Sequence, residues 1–333
     1  MAIGTITDMV VFNEQFYGAF IETIQDNVDV FNESSFNMLQ LRTQFHVGLR
    51  KEEAFMSRSN GRFRRTLGSV ANHTPANLPS DSVKKVKLFD AVHYEQTLQS
   101  YKTQGLSVDE IAFNAGVQSA GDIAESWRDT SLSSLQGAYS LAGLITGPDQ
   151  LVQDVTAVGN GVLDSAGLIA GMPLFGDRTQ KIRGYIMHSA VYWKLVGAQE
   201  ASPTADGIAD MVVMTGTPAT LGKPVIVVDS PALIDAGAGP SGADVYLSYA
   251  LVENAVTVEE SEQPSSLFEL VGGKENLIQR VQSEYAFTVG LKGIDYAAAT
   301  DNPSDAVLAT DTSWAKKYDS KKDLPGIQYR SLV

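Results

Sequence analysis

The chain has 333 residues, enough for about two domains at ~150 residues each, and its 44% apolar and 19% charged content suits a packed core and excludes wholesale disorder. Its 25 basic and 39 acidic side chains leave a net charge of −14, which opposes non-specific binding of the whole molecule to DNA or to an acidic membrane. Without cysteine there is no disulfide, thiolate nucleophile, iron–sulfur cluster or cysteine-held zinc, and no run of ~18 apolar residues could cross a membrane as a helix.

The first residues, MAIGTITDMVVFNEQF, lack the basic-then-apolar order of a secretory signal, so none is expected. Phe12, Phe16, Phe20, Ile24, Val28 and Phe31 then repeat at fours and a three. That spacing predicts a helical arm whose apolar stripe must be covered by another surface. Residues 42–65 hold seven basic side chains (Arg42, Arg50, Lys51, Arg58, Arg62, Arg64, Arg65) against Glu52 and Glu53. In their midst Asn60-Gly61 is a strong hairpin dipeptide, because both positions tolerate positive φ. A two-residue loop there predicts Ser59 opposite Arg62, Arg58 opposite Phe63 and Ser57 opposite Arg64. Such a ribbon has too little apolar surface to stand alone and needs a partner.

Residues 83–94 (VKKVKLFDAVHY) read as a strand. Ser107, with Glu110 three positions on and Ile111 opening an apolar run, forms a capping box. Ala120, Ala124, Trp127, Leu135, Ala138, Ala142 and Ile145 recur at threes and fours until Gly147-Pro148. This predicts a helix over 108–146, ~58 Å long if continuous. Gly116, Gly121 and Gly137 are candidate breaks, with an early one favoured. Beyond residue 150 a helix is expected at 162–172, a strand at 182–189 and a helix at 190–198. Buried strands are expected at MVVM (from 211), PVIVVD (from 224) and VYLSYALV (from 245). Residues 277–291 alternate, with Val281, Tyr285, Phe287, Val289 and Leu291 on one side and Gln282, Glu284 and Thr288 on the other, as in a half-exposed strand.

Catalytic and metal-binding patterns are missing. His46, His73, His93 and His188 are far apart and no HExxH occurs. Gly159-Asn160-Gly161 opens like a dinucleotide loop, but the third glycine position is Asp164. Gly272-Gly273-Lys274 continues into Glu275 where a phosphate loop needs Ser or Thr. No GxSxG elbow is present, and Ser189 beside His188 has no supporting acid in sequence. No catalytic, cofactor or metal residue is therefore assigned. One charge feature remains: residues 196–270 hold eleven acids and one base, Lys223, opposite in sign to 42–65. Three readings stay open: separate solvated surfaces, a complementary contact repeated between copies, or a nucleic-acid-binding ribbon carrying Phe55 and Phe63.

The order of parts (arm, protruding basic hairpin, long helix, α/β region, long late strand) resembles the major capsid proteins of tailed double-stranded DNA bacteriophages, with the Hong Kong 97-like fold. YIMHSAVYWKLVGAQ (185–199) is similar to their strand-then-helix segment, and LGKPVIVVDSP (221–231) to their hairpin returning into a strand. The tail from Gly293, with Asn302-Pro303-Ser304-Asp305-Ala306, Leu308 and Trp314, is similar to the family's closing segment. The resemblance implies an α+β chain with an N-terminal arm (1–41), an extended hairpin loop (42–82), a peripheral domain on a long spine helix (83–149), an axial α/β domain (150–270), and a peripheral strand with the C-terminal segment (271–333).

It further implies a self-assembling structural subunit of an icosahedral head, made in the host cytoplasm and not an enzyme. The implied partners are other copies of the chain in hexamers and pentamers, a portal protein, a separate scaffolding protein, a decoration protein, and packaged double-stranded DNA held without sequence specificity. No cofactor and no membrane are implied. Scaffolding is expected to be separate because the chain starts at the arm, and Met1 points to an unprocessed start. Covalent cross-linking is not carried over, since Lys51 is the only lysine in 42–65 and nothing marks its partner. Candidate contacts between subunits are Arg58, Arg62, Arg64, Arg65, Phe12, Phe16 and Phe20. The alternatives are an encapsulin-like compartment shell and, from another class, a soluble α/β enzyme built on the strands of 182–252.

Overall fold

The computed structural model describes residues 36–57, 59, 62–70, 72–97, 99–100, 103, 108–200, 213–214, 220, 222–272 and 275–333. The stripe of Phe12, Phe16 and Phe20, along with Arg58 and the Asn60-Gly61 turn, lies outside them.

Strands β1 (Leu39–Thr43), β2 (Arg50–Met56) and β3 (Ser80–Thr97) come first. β2 and β3 pair antiparallel from Arg50 opposite Val86 to Met56 opposite Ser80. The Ser57 N–H then continues the ladder onto the Pro79 carbonyl at 2.9 Å. The hairpin thus returns through residue 79, and Ser57 does not face Arg64 as expected. Val86 and Leu88 give β3 a buried apolar face, whereas residues 62–66 lack apolar alternation, form no strand and are exposed.

The long helix spans Val108–Tyr139 and buries Ala120, Ile123, Trp127, Leu135 and Ala138. It passes through Gly116, Gly121 and Gly137 without a break and ends before the expected stop. Leu141 is extended (φ −58, ψ 127), and a short helix, Ala142–Ile145, follows. Tyr139 and Leu144 are both fully buried. At ~100° per residue a straight helix would point them ~140° apart, and the late break lets both face inward.

β4 (Val152–Asp154) leads to a helix at Ser165–Phe175, capped where the Asp164 carboxylate accepts the Gly167 N–H at 2.7 Å. β5 (Ile182–Met187), a helix at Ser189–Glu200, β6 (Val213–Met214), β7 (Val225–Val227), β8 (Ile234–Asp235) and β9 (Val245–Val252) follow. β5 and β7 are parallel, a pairing that needs a crossover longer than a hairpin turn, and the helix lies between them in the chain. The chain then turns at Glu253–Ala255 into β10 (Val256–Val271), β11 (Ile278–Leu291), β12 (Ile294–Tyr296) and β13 (Trp314–Lys316), and ends in β14 (Gly326–Ser331).

Among the described residues these strands form two seven-stranded sheets. One runs β1-β10-β11-β12-β13, with β3 on β11 and β2 on β3; the other runs β4-β14-β9-β5-β7-β6, with β8 on β9. The long helix ties them together. Trp127 sits 6.3 Å from Phe287 of the first sheet, and Tyr139 sits 5.8 Å from Tyr249 of the second, ring centre to ring centre. One continuous hydrophobic cluster runs through both.

β11 buries Val281, Tyr285, Phe287, Val289 and Leu291 as the alternation predicts, and Glu284 is exposed. Thr288 departs from expectation, being fully buried. Its face is covered by side chains from β3 and β10, which flank β11 on either side.

Candidate functional site

The root of the hairpin is built on that second, polar face of the first sheet. Thr288 lies opposite Lys87 of β3 and Glu259 of β10, and Gly290 lies one pleat further on the same face. Glu259, with 1% of its surface exposed, takes two lysines: Lys85 Nζ at 2.8 Å and Lys51 Nζ at 2.5 Å. Glu53 adds contacts to Lys85 at 2.6 Å and to Lys51 at 3.3 Å. Lys87 pairs with Glu262 and also reaches the His46 carbonyl at 3.4 Å. Charges this deep persist only when paired, and here each strand of the hairpin is pinned to the sheet by an ion pair.

Burial pushes the Glu53 carboxyl upward, but Lys85 and then Lys51 outweigh it and hold the group below its ordinary range. His46 is held below its ordinary value by burial first, then by the charges of Lys87 and Lys51. Its Nδ1 is buried without a partner, and its Nε2 lies 3.4 Å from the Thr288 hydroxyl.

Around this fixed root the surface is apolar and open. Phe45, Val47 and Leu49 are exposed on the loop before β2, and Met56, Phe63, Leu67, Val70 and Leu78 are exposed along the hairpin's far end. Phe63 stacks on His73 with ring centres 3.6 Å apart. Arg62, Arg64 and Arg65 are exposed on the same segment. The structure thus gathers three of the expected contact residues at the hairpin's far end.

Part of the acidic stretch at 196–270 is paired within its own chain. Glu253 pairs with Arg183, Glu259 with Lys51 and Lys85, Glu262 with Lys87, and Glu269 with Arg280, all within the chain. The lysines that pair with Glu259 and Glu262 lie 174 to 208 positions away in the chain, beyond the reach of local pattern. The available signal was the run of lysines in β3 facing the run of glutamates in β10.

His188 does have an acid nearby, Asp229, at 3.6 Å. The arrangement still lacks a nucleophile's geometry. His188 Nδ1 accepts the Ala190 N–H at 3.2 Å while Nε2 faces Asp229. Hydrogen bonding from the Ser189 side chain leads the effects that hold the Asp229 carboxyl low, and the Ser189 N–H reaches the same carboxylate at 3.2 Å. These contacts cap the start of the helix at Ser189–Glu200. Among the described residues no group of three or more His, Asp or Glu side chains is placed to hold a metal.

Comparison with known proteins agrees with this picture of a structural chain. The Gp13-like family, described as major capsid protein 13-like, matches residues 8–328. No curated protein matches. Among solved structures, the fold is similar to the cyanophage Pam1 capsid asymmetric unit, at 13% identity and TM-score 0.53, covering 88% of each chain. It is also similar to the acid-stable capsid of Helicobacter pylori bacteriophage KHP30, at 10% identity and TM-score 0.50, covering 89% of this chain and 88% of that one. With its match running almost from end to end, the chain belongs to the Gp13-like family of major capsid proteins, as a structural subunit of a tailed-phage head and not an enzyme.

Proposed function

We propose that the hairpin at 42–82 and the loop at its root are the surfaces by which one subunit grips the next, and that the arm carrying Phe12, Phe16 and Phe20 adds a second grip. In this reading the long helix with β3 and β11 forms the peripheral domain, and the β5–β9 sheet the axial one. Hexamers and pentamers of the chain close an icosahedral shell around double-stranded DNA, with a portal protein at one vertex and a separate scaffolding protein during assembly. A decoration protein has its place on the outside. The enclosed DNA is held without sequence-specific contacts, consistent with the chain's net charge of −14.

One observation carries this reading. Val47, Leu67 and Val70 are more than 90% exposed, and Met56 and Leu78 more than 60%, on one protruding hairpin and the loop at its root. A protruding apolar surface of this kind marks an interaction site. Electron microscopy of the expressed chain, alone and with scaffold, tests it. Closed shells are expected from the natural sequence. A variant with Met56, Leu67, Val70 and Leu78 all changed to Ser should stay folded and fail to close. Normal shells from that variant would remove the hairpin from the assembly mechanism.

A further inference from the structure

A hollow of about 400 Å³ opens where the two sheets meet, and three of its walls are cationic. Lys181 and Arg183 reach it from the start of β5, and Lys292 from the turn between β11 and β12. Glu253, in the turn joining β9 to β10, is the one acid among the lining residues. It pairs with Arg183 at 2.6 Å, and its backbone carbonyl accepts Lys292 at 3.1 Å. Lys181 touches Asp323 at 3.4 Å. Asn254 also lines the hollow, and its buried amide oxygen has no partner.

The cations crowd one another. Lys292 is held below the usual lysine range by burial and then by the charge of Lys181. Nearby Lys223, bound to the Ile182 carbonyl at 2.5 Å, is lowered by burial and then by Arg183. An entering anion would relieve both repulsions. Three cations against Glu253 in the lining and Asp323 beside Lys181 still leave a local surplus of positive charge, on a chain whose total is −14.

We propose that this hollow is a carboxylate receptor: an acidic side chain of a second copy of this chain seats in it when subunits associate. The inference rests on the shell reading above. A carboxylate fits better than a DNA phosphate, because the cations line a single hollow. Tracking a DNA backbone would need a line of positive charge. With 39 acids per chain, a neighbouring copy offers carboxylates in abundance.

The test uses particles assembled from an equal mixture of normal and heavy-nitrogen subunits, treated with a carbodiimide that joins amines to touching carboxylates. Peptide mass spectrometry should find Lys181 or Lys292 joined to an Asp or Glu of the opposite label, in empty and DNA-filled particles alike, and not in free subunits. Links only within one chain would overturn the proposal. So would shielding of these lysines only in DNA-filled particles, which would assign the hollow to phosphate. In a second arm, Lys181→Glu with Lys292→Glu should keep the folded-subunit circular dichroism and lower particle yield at least about tenfold, while Lys181→Arg with Lys292→Arg assembles normally. Undiminished yield from the charge-reversed pair would also overturn it. If the natural chain is folded but forms no particles even with scaffold supplied, the shell reading fails first, and the receptor with it.

Discussion

Lys85 reaches Glu259, with its Nζ 2.8 Å from Oε1, by lying flat across the bare α-carbon of Gly290. The two residues sit on strands either side of β11, and only a glycine between them leaves room for the lysine stem. A Cβ at Gly290 would meet Cγ and Cδ of Lys85 at 2.6 Å. These are mid-chain atoms of a buried side chain fixed at its far end. Gly290→Ala should therefore cost about 1–3 kcal/mol through forced displacement of Lys85. A denaturant midpoint equal to that of the natural chain would show that the lysine can move freely.

Glu259 neutralises one lysine from each strand of the hairpin. Glu259→Gln keeps the shape and removes the charge, leaving Lys85, 5% exposed, with only the half-exposed Glu53 as its anion. Breaking a buried pair from one side costs about 3–5 kcal/mol. Amide exchange of β2 and β3 should accelerate more than exchange at the far end of the long helix. Equal acceleration everywhere would assign Glu259 to general stability and not to fixing the hairpin.

His46 makes the loop before β2 sensitive to mild acid. Its folded-state value is lowered from 6.5 by burial, with Lys87 and Lys51 adding. A depressed histidine binds its proton more readily when unfolded, so its stabilising contribution is complete above 6.5 and declines as pH falls toward the folded value. Stability measured from pH 7.5 down to pH 5 should show this decline. The His46→Gln variant should show a shallower one, and identical profiles would exclude the imidazole as the cause.

Much of the fold was legible because it rests on local pattern. The strands at 245–252 and 83–94 follow from their short apolar and β-branched runs, and the apolar side of β11 from alternation. What stayed hidden depends on long-range neighbours. Thr288 looked like a surface residue because its cover, Lys85, Lys87 and Glu259, comes from strands far away in sequence. Gly137 looked like a break, yet it is a contact. A Cβ there would meet the Leu308 carbonyl at 2.1 Å and Trp314 Nε1 at 2.8 Å. The Trp314 indole donates to that same carbonyl at 2.7 Å, so the closing segment lies directly on the helix. The hairpin's register was misread because Asn60-Gly61 speaks only for a local turn, whereas β2 is held by β3. Of the contact candidates, the arginines were visible as a charge cluster. The apolar residues around them were not, since exposure does not show in composition.

Trp127 tests the long helix as a core element. It is 5% exposed and tilted against Phe287. Trp127→Ala should cost about 3–5 kcal/mol and give insoluble or unfolded subunits. A folded Trp127→Ala subunit that fails only to assemble would place the indole at an interface between subunits.

The arginines at the hairpin's far end bear on how subunits recognise one another. Arg62, Arg64 and Arg65 are exposed, while Glu253, Glu259, Glu262 and Glu269 already pair within their own chain. Acids meeting these arginines across a contact either share a cation they already pair with or come from elsewhere on the neighbour. Each exposed pair contributes about 0.2–1 kcal/mol, but a closed shell repeats the contact at every subunit. Screening over ~8 Å at physiological salt should slow early assembly as ionic strength rises. Salt dependence alone does not separate protein contacts from DNA contacts, because both weaken. Changing Arg62 and Arg64 to Glu, and following assembly with no DNA present, does separate them. Slow or absent shell formation by that variant is the expected result, with the subunit still folded. Shells that form at the normal rate but fail to retain DNA would assign the arginines to the nucleic acid, leaving the apolar residues around them to hold the neighbouring subunit.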